Sequence, residues 1–178
     1  MKYPIIGFSG YARSGKTTAA NNVTLDFHNS VVCNFAEPIK RMAVAFGLSN
    51  RQVYGDLKDV PAEEFGGHTP RHIMQTLGTE WGRNCIHEDV WIFAARQRMK
   101  GALRDGLMVV FDDVRFENEA RMIRNMGGIV IEVVRDGTKP KGVIHPSERP
   151  PMPDYWVQNN GDIVALAKQV KSIVGDSE

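Results

Sequence analysis

The stretch Gly10-Tyr11-Ala12-Arg13-Ser14-Gly15-Lys16-Thr17 constrains this chain more than any other, because it fits the pattern G-x-x-x-x-G-K-[ST]. Its context agrees with the match. The run from Tyr3 to Phe8 before it is short, apolar and β-favouring, and TTAANNVTLDF after it has the apolar spacing of a helix. Strand, glycine loop and helix in that order give a chain that can wrap backbone N–H groups around an anion. Gly10 and Gly15 permit the backbone turns that aim successive N–H groups, those of Ala12 and Ser14 among them, into one concavity. The positive end of the following helix adds to the attraction for phosphate oxygens. Lys16 reaches the β- and γ-phosphates of a nucleotide as a point charge, and the Thr17 hydroxyl is suited to ligate Mg²⁺. Thr18 is read with the loop as a helix-start residue rather than as a second metal ligand. Arg13 either projects over the transferred phosphate or is solvated, and both readings stand. The competing reading of the whole motif is an ordinary glycine-rich β–α turn.

The rest of the chain alternates in the same way. Val31 to Ala36 reads as a second, buried strand, with Cys33 as a small core residue. Glu37-Pro38 opens a helical segment, and Thr69-Pro70 is an N-cap and first-turn pair introducing RHIMQTLGTEWGRN as another helix. Between them, about 51 to 67, glycines and Pro61 mark loops. A further helix is expected from about Glu88, a strand at Leu107 to Phe111, a helix at Glu117 to Asn125 and a strand at Ile129 to Val134. Tyr155 to Val157 is a last short strand, and Gly161 to Val174 closes as a helix. Short parallel-type strands alternating with helices indicate an α/β sheet covered on both faces.

Length and composition narrow the function classes. The 178 residues suit one domain, and 22 Lys and Arg against 21 Asp and Glu give a net charge of +1. That balance argues against a dedicated binder of duplex nucleic acid, which needs a phosphate-neutralising surplus. Two cysteines cannot build a secreted disulfide framework. The N-terminus lacks a signal peptide's apolar core, and no apolar run approaches the ~20 residues of a membrane span. A cytoplasmic protein without a membrane partner is expected.

Two polar groups stand where chemistry is needed. Asp112 and Asp113 close the third strand, and carboxylates at a strand's C-terminal end lie where open α/β sheets bind ligands. Successive strand residues face opposite ways, so one of the two acts and the other does not. The loop position of Asp113 favours it as the acid that holds a metal-bound water or accepts a proton. Arg115 can clamp a phosphate and stabilise charge in transfer. Asn118 and Glu119 read as caps or pairs of the following helix. The second group comprises Glu37, Lys40 and Arg41 at one helix start, Arg71 and Gln75 on another, then Thr79, Glu80, Trp81 and Arg83. Several cations suit an anionic acceptor, and stacking and amide groups suit a planar base. Each of these residues also fits a solvated helix face, and Trp81 and Trp91 also fit a core. His68 and His72 have ligand spacing, but Pro70 intervenes and no third ligand is evident. His145 has no assigned role.

Taken in order, FSGYARSGKTT, FAEPIKRMA, TPRHIMQTLGTEWGR, VVFDDVRFENEA, GGIVIEVVRDG and HPSE resemble the bacteriophage deoxynucleoside monophosphate kinases from about residue 5 to 170. The first segment is generic to a large superfamily, while FA-x-P-x-K, TLGTEWGR and DDVRF-x-NE are far more specific. The resemblance implies a P-loop, nucleoside monophosphate kinase-like fold with a central parallel five-stranded sheet. It implies a single domain over 1–178, with an acceptor-binding region at 37–106 and a lid at 136–153. It also implies ATP and Mg²⁺ as cofactors and a deoxynucleoside monophosphate as substrate, in the host cytoplasm if phage-encoded. A homodimer stays open. Catalytic roles fall on Lys16, Arg13, Asp113 and Arg115, and Asn160 in the turn after the last strand is expected near the donor adenine. The lid holds few arginines, Arg135 and Arg149 with Lys139 and Lys141, so transition-state charge is expected to rest on Arg13 and Arg115. Two alternatives remain: a kinase of the phosphomevalonate kinase type, and a P-loop nucleotide-binding or regulatory protein.

Overall fold

The computed structural model describes residues 2–139, 145 and 149–175. The expected lid therefore lies partly outside the described residues, as do Lys141 and three residues of HPSE. The chain divides into two compact units, one formed by residues 1–34 and 95–178 and the other by residues 35–94.

The first unit is built on five parallel strands: β1 (Ile5–Ser9), β2 (Ser30–Val32), β3 (Met108–Phe111), β4 (Ile129–Val134) and β5 (Tyr155–Gln158). Their order is β2-β3-β1-β4-β5. β1 is central and fully buried, with Ile5 paired to Val109 on one side and Ile6 to Ile129 on the other. Helix α1 (Lys16–Asp26) and helix α7 (Ile163–Val174) cover one face. There Ala19, Ala20, Val23, Leu166 and Val170 pack on Phe8, Val110, Ile131 and Val133. Helix α6 (Glu117–Asn125) covers the other face, against β1 and β4. Gly7 is required beneath it, since a Cβ there would lie 2.6 Å from the Ile123 side chain. The α/β sheet with helices on both faces is as the sequence indicates.

β2 corrects one expectation. It lies at the sheet edge, with Val31 and Val32 still 37% and 39% exposed, and Cys33 is only half-buried. A run of apolar residues describes strand propensity, but the number of neighbours a strand receives is decided by sheet order.

The second unit holds α2 (Glu37–Ala45), α3 (Asn50–Val53), two short 3₁₀ turns, α4 (Pro70–Thr76) and a π-helix (Leu77–Ile86). Helix α5 (Val90–Arg104) begins in it and ends in the first unit. Ala43, Leu48 and Val53 form its small core, with Phe65, Ile73 and Met74 against them. Thr69 caps α4 as its sequence suggests, its hydroxyl accepting from His72 N at 3.2 Å. The segment 51–67, expected as loop, takes in most of α3, capped by Ser49 and Gln52, and both 3₁₀ turns. Elements of three or four residues are too short to show a period.

α4 continues as a π-helix over the stretch read as ordinary helix. π-Geometry is rare and mostly confined to single turns at functional sites. Trp91 packs against this segment: it is only 5% exposed, and its Nε1 donates to Gly78 O at 2.7 Å. A Cβ on Gly82 would sit 2.3 Å from the Trp91 ring, so the glycine is what lets the indole lie against the helix backbone. No helix among the described residues is long and apolar enough to cross a membrane.

Candidate active site

The first unit gathers its functional groups at the C-terminal ends of β1, β3 and β4. There the neighbours of β1 run away in opposite directions, which is where open α/β sheets bind ligands. The loop after β1 takes left-handed backbone at Gly10 (φ 133), Arg13 (φ 65) and Gly15 (φ 105). A Cβ on Gly10 would stand 2.5 Å from Val133 O and 2.8 Å from Ser14 Oγ, so the loop closes tightly against the end of β4. Lys16 Nζ donates to Gly10 O at 2.9 Å and to Tyr11 O at 2.8 Å, holding the loop in a cradle.

Thr17, in the first turn of α1, donates through Oγ1 to Asp112 Oδ2 at 2.7 Å. The other oxygen, Oδ1, accepts from the side-chain amide of Asn34, and the backbone carbonyl of Asn34 in turn accepts from Arg98 Nη2. The carboxylate facing the loop threonine is thus Asp112, where the sequence reading favoured Asp113. Strand parity explains the difference. Met108 and Val110 face the α1 side of the sheet, and Asp112 continues that alternation past the strand end. Sequence parity carried this signal, whereas Asn34 and Arg98 had none. Glu119, only 2% exposed, accepts from the backbone N–H of Arg115 at 2.7 Å and of Phe116 at 3.1 Å. It caps α6, as read from the sequence, and fixes the backbone that presents Arg115.

A small cleft opens beside the loop, lined by Gly10, Ala12, Lys16, Val114, Arg115, Arg149 and Pro150. The sequence expectation puts transition-state charge on Arg13 and Arg115, and in the structure Arg149 lines the same space as Lys16 and Arg115. Arg13 is exposed and is not among the lining residues. Thr18 is half-buried in the first turn of α1. Asn160 does not stand alone in its turn: its Oδ1 accepts from Asp136 N at 2.9 Å, while Asn159 Nδ2 donates to Ser14 O at 2.7 Å.

The residues present suit a nucleotide and a hard divalent cation. A concave glycine loop with a lysine suits phosphates, and a hydroxyl beside a carboxylate is an all-oxygen donor set of the kind Mg²⁺ takes.

In the second unit, Glu37, Lys40 and Tyr54 form one cluster. Glu37 Oε1 accepts from Arg41 Nε at 3.0 Å and from the Tyr54 hydroxyl at 3.4 Å, and Lys40 Nζ lies 5.3 Å from the Tyr54 ring centroid. Burial and the neighbouring Glu37 carboxylate raise the Tyr54 hydroxyl above its usual range, which keeps it a donor. Arg71 is gripped by Asp59 through two hydrogen bonds of 2.5 and 3.1 Å. Arg83 Nη1 donates to Glu88 O at 2.7 Å. Gln75 lies on α4, and Thr79, Glu80, Trp81 and Arg83 lie on the π-helix. Trp81 is 44% exposed, unlike the buried Trp91, so one of the two tryptophans is core and the other presents a ring to solvent. The His68 and His72 rings stack at 4.8 Å between centroids. Tyr54 and Asp59 escaped the sequence reading because their segment lacks periodicity.

Comparison with known proteins gives a consistent picture. A family model described as deoxynucleotide monophosphate kinase matches residues 61–170. A protein of Acanthamoeba polyphaga mimivirus, provisionally named a deoxynucleotide monophosphate kinase, is 33% identical over 156 residues, covering 81% of this chain and 80% of that protein. The deoxynucleoside-5'-monophosphate kinase of Escherichia phage T5 is 35% identical over 71 residues, a local match to 37% of this chain and 28% of the phage protein. Among solved structures, a protein of Chloroflexus aurantiacus provisionally described as a kinase superposes with a TM-score of 0.50. That alignment covers 97% of this chain and 98% of the other at 12% identity, a likeness of fold alone.

Proposed function

The chain belongs to the deoxynucleotide monophosphate kinase family, and from that premise we propose that it transfers the γ-phosphate of ATP to a deoxynucleoside monophosphate, releasing ADP and the diphosphate. The observation that carries the reading is the pairing of Thr17 with Asp112 beside the Lys16 cradle, at the mouth of a cleft holding two arginines. Phosphoryl transfer asks little covalent chemistry of a protein and much positioning and charge neutralisation. Every group in that arrangement serves one of those two tasks.

The loop N–H groups and the start of α1 hold the donor phosphates. Lys16, with its Nζ held at the loop by the Gly10 and Tyr11 carbonyls, supplies the cation for the donor phosphate oxygens. Thr17 and Asp112 would hold Mg²⁺, which when bound neutralises charge on the donor phosphates. Arg115 and Arg149 stabilise charge on the transferred group, and Arg13 has the weaker claim to that role. Asp112 takes the acid's part in preference to Asp113.

Residues of the 35–94 unit bind the acceptor in this reading. Trp81 offers an exposed ring for stacking on a base, and Gln75, Thr79 and Glu80 offer hydrogen-bonding groups. Lys40, Arg71 and Arg83 supply cations for the acceptor phosphate. Arg71 is already paired with Asp59, so an acceptor phosphate must compete with that carboxylate.

The test is ADP release measured with ATP, Mg²⁺ and each common deoxynucleoside monophosphate in turn. Release that depends on at least one of them is expected. Release with none of them, or only with non-nucleotide phosphorylated acceptors, overturns the reading.

A further inference from the structure

We infer that Asn159 is a positioning residue for the donor nucleotide, setting the orientation of the Ser14–Gly15 peptide at the heart of the phosphate-binding loop. The inference rests on the donor-site reading above and adds a residue to it from the far end of the chain.

A loop that turns its N–H groups inward must turn carbonyls outward, and a buried carbonyl needs a donor. Ser14 is fully buried, and the donor its carbonyl receives is the side-chain amide of Asn159, at 2.7 Å. The residues are 145 positions apart in sequence, so nothing local supplies this bond. A trans peptide is planar, with its C=O and N–H pointing in opposite directions. Holding the Ser14 carbonyl toward the end of β5 therefore aims the Gly15 N–H the other way. Asn159 fixes that donor before any ligand arrives, and a peptide already oriented need not be ordered at the moment of binding.

Two further features show that the contact is built in. A Cβ on Gly15 would lie 2.2 Å from Asn159 Nδ2, so the absence of a side chain at Gly15 serves the approach of this amide as well as the φ of 105°. Asn159 is itself anchored, its backbone N–H donating to Val134 O at 2.7 Å at the end of β4. The next residue, Asn160, accepts from Asp136 N at 2.9 Å, securing the same turn to the chain that leaves β4. The turn after β5 thus serves as a fixed abutment for the loop, and Asn159 is its point of contact.

The test compares wild type with Asn159→Asp, which keeps the shape but loses the amide donor, and Asn159→Leu, which loses the donor without adding charge. The readouts are the Kd for ADP, KM for ATP, kcat, KM for the deoxynucleoside monophosphate, and Tm without ligand. Leaving a buried carbonyl unpaired weakens ADP binding roughly ten-fold in both variants. KM for ATP rises in step, while kcat and the acceptor KM change far less. Unaltered ADP affinity in both variants overturns the inference. So does weakening by Asn159→Asp alone, which would mark charge repulsion, or a fall in kcat and Tm at constant affinity, which would mark a purely structural residue. A wild type that binds ADP yet phosphorylates no deoxynucleoside monophosphate overturns the functional reading instead, and the ADP comparison still decides the role of Asn159.

Discussion

Thr17 Oγ1 lies 2.7 Å from Asp112 Oδ2, which ties the first turn of α1 to the end of β3. In the proposed reading, the bond joins the phosphate-binding loop to the carboxylate that shares its cation. Replacing Asp112 by Asn keeps the size and removes the charge, and is expected to lower kcat about 10²-fold. Asp113→Asn is expected to cause a much smaller loss. Steady-state rates for the two variants across an Mg²⁺ titration check this, and equal losses would remove the distinction.

Asn34 holds the other oxygen of that carboxylate and is held in turn by Arg98. Groups that orient a metal-binding carboxylate alter metal affinity when removed, typically by about 10- to 100-fold. Asn34→Ala is therefore expected to raise the Mg²⁺ concentration needed for half-maximal rate, with a smaller change at saturating Mg²⁺. The same titration measures it.

Arg115 and Arg149 line the cleft beside Lys16, and Arg13 does not. Arg115→Ala and Arg149→Ala are each expected to reduce kcat by about 10²-fold, as loss of a charge-stabilising donor does elsewhere. Arg13 has a second property: its φ of 65° is left-handed, a conformation an arginine adopts at a disadvantage of about 1–2 kcal/mol. Arg13→Gly is expected to be more stable than Arg13→Ala by about 1 kcal/mol, a difference read by chemical denaturation.

The second unit offers a packing test. A methyl group on Gly82 would meet the Trp91 ring at 2.3 Å and Leu77 O at 2.9 Å. Gly82→Ala is expected to destabilise the protein by about 1–3 kcal/mol through overpacking. Hydrogen exchange should show the loss concentrated at residues 77–94.

Glu132, on β4, has its carboxyl pushed above the usual range by burial, with the Trp156 side chain partly opposing the shift. A raised carboxyl means that the folded state holds its proton to higher pH than the unfolded chain does. Stability is thus lost as pH rises from the ordinary carboxylate range through the folded value. Glu132→Gln removes that loss, so Tm of the variant relative to wild type should be higher at pH 7–8 and the gain should fade toward pH 4. A gain independent of pH would contradict the assignment.

The sequence by itself determined the strands, the main helices and the glycine loop after β1 with its lysine. Each rests on local information: glycines at two positions of a loop, a Thr-Pro cap, and apolar residues at the spacing of one helix face. The family followed from the order of several such segments. Tertiary structure alone decided which groups meet. Strand order made β2 an edge, the sheet face that α1 covers decided between Asp112 and Asp113, and the turn after β5 brought Asn159 to Ser14. The physical reason is the same in each case. Hydrogen bonds and packing act over a few ångströms in space, and the partners here are separated by 95 positions between Thr17 and Asp112 and by 145 between Ser14 and Asn159, distances over which a sequence carries no local trace.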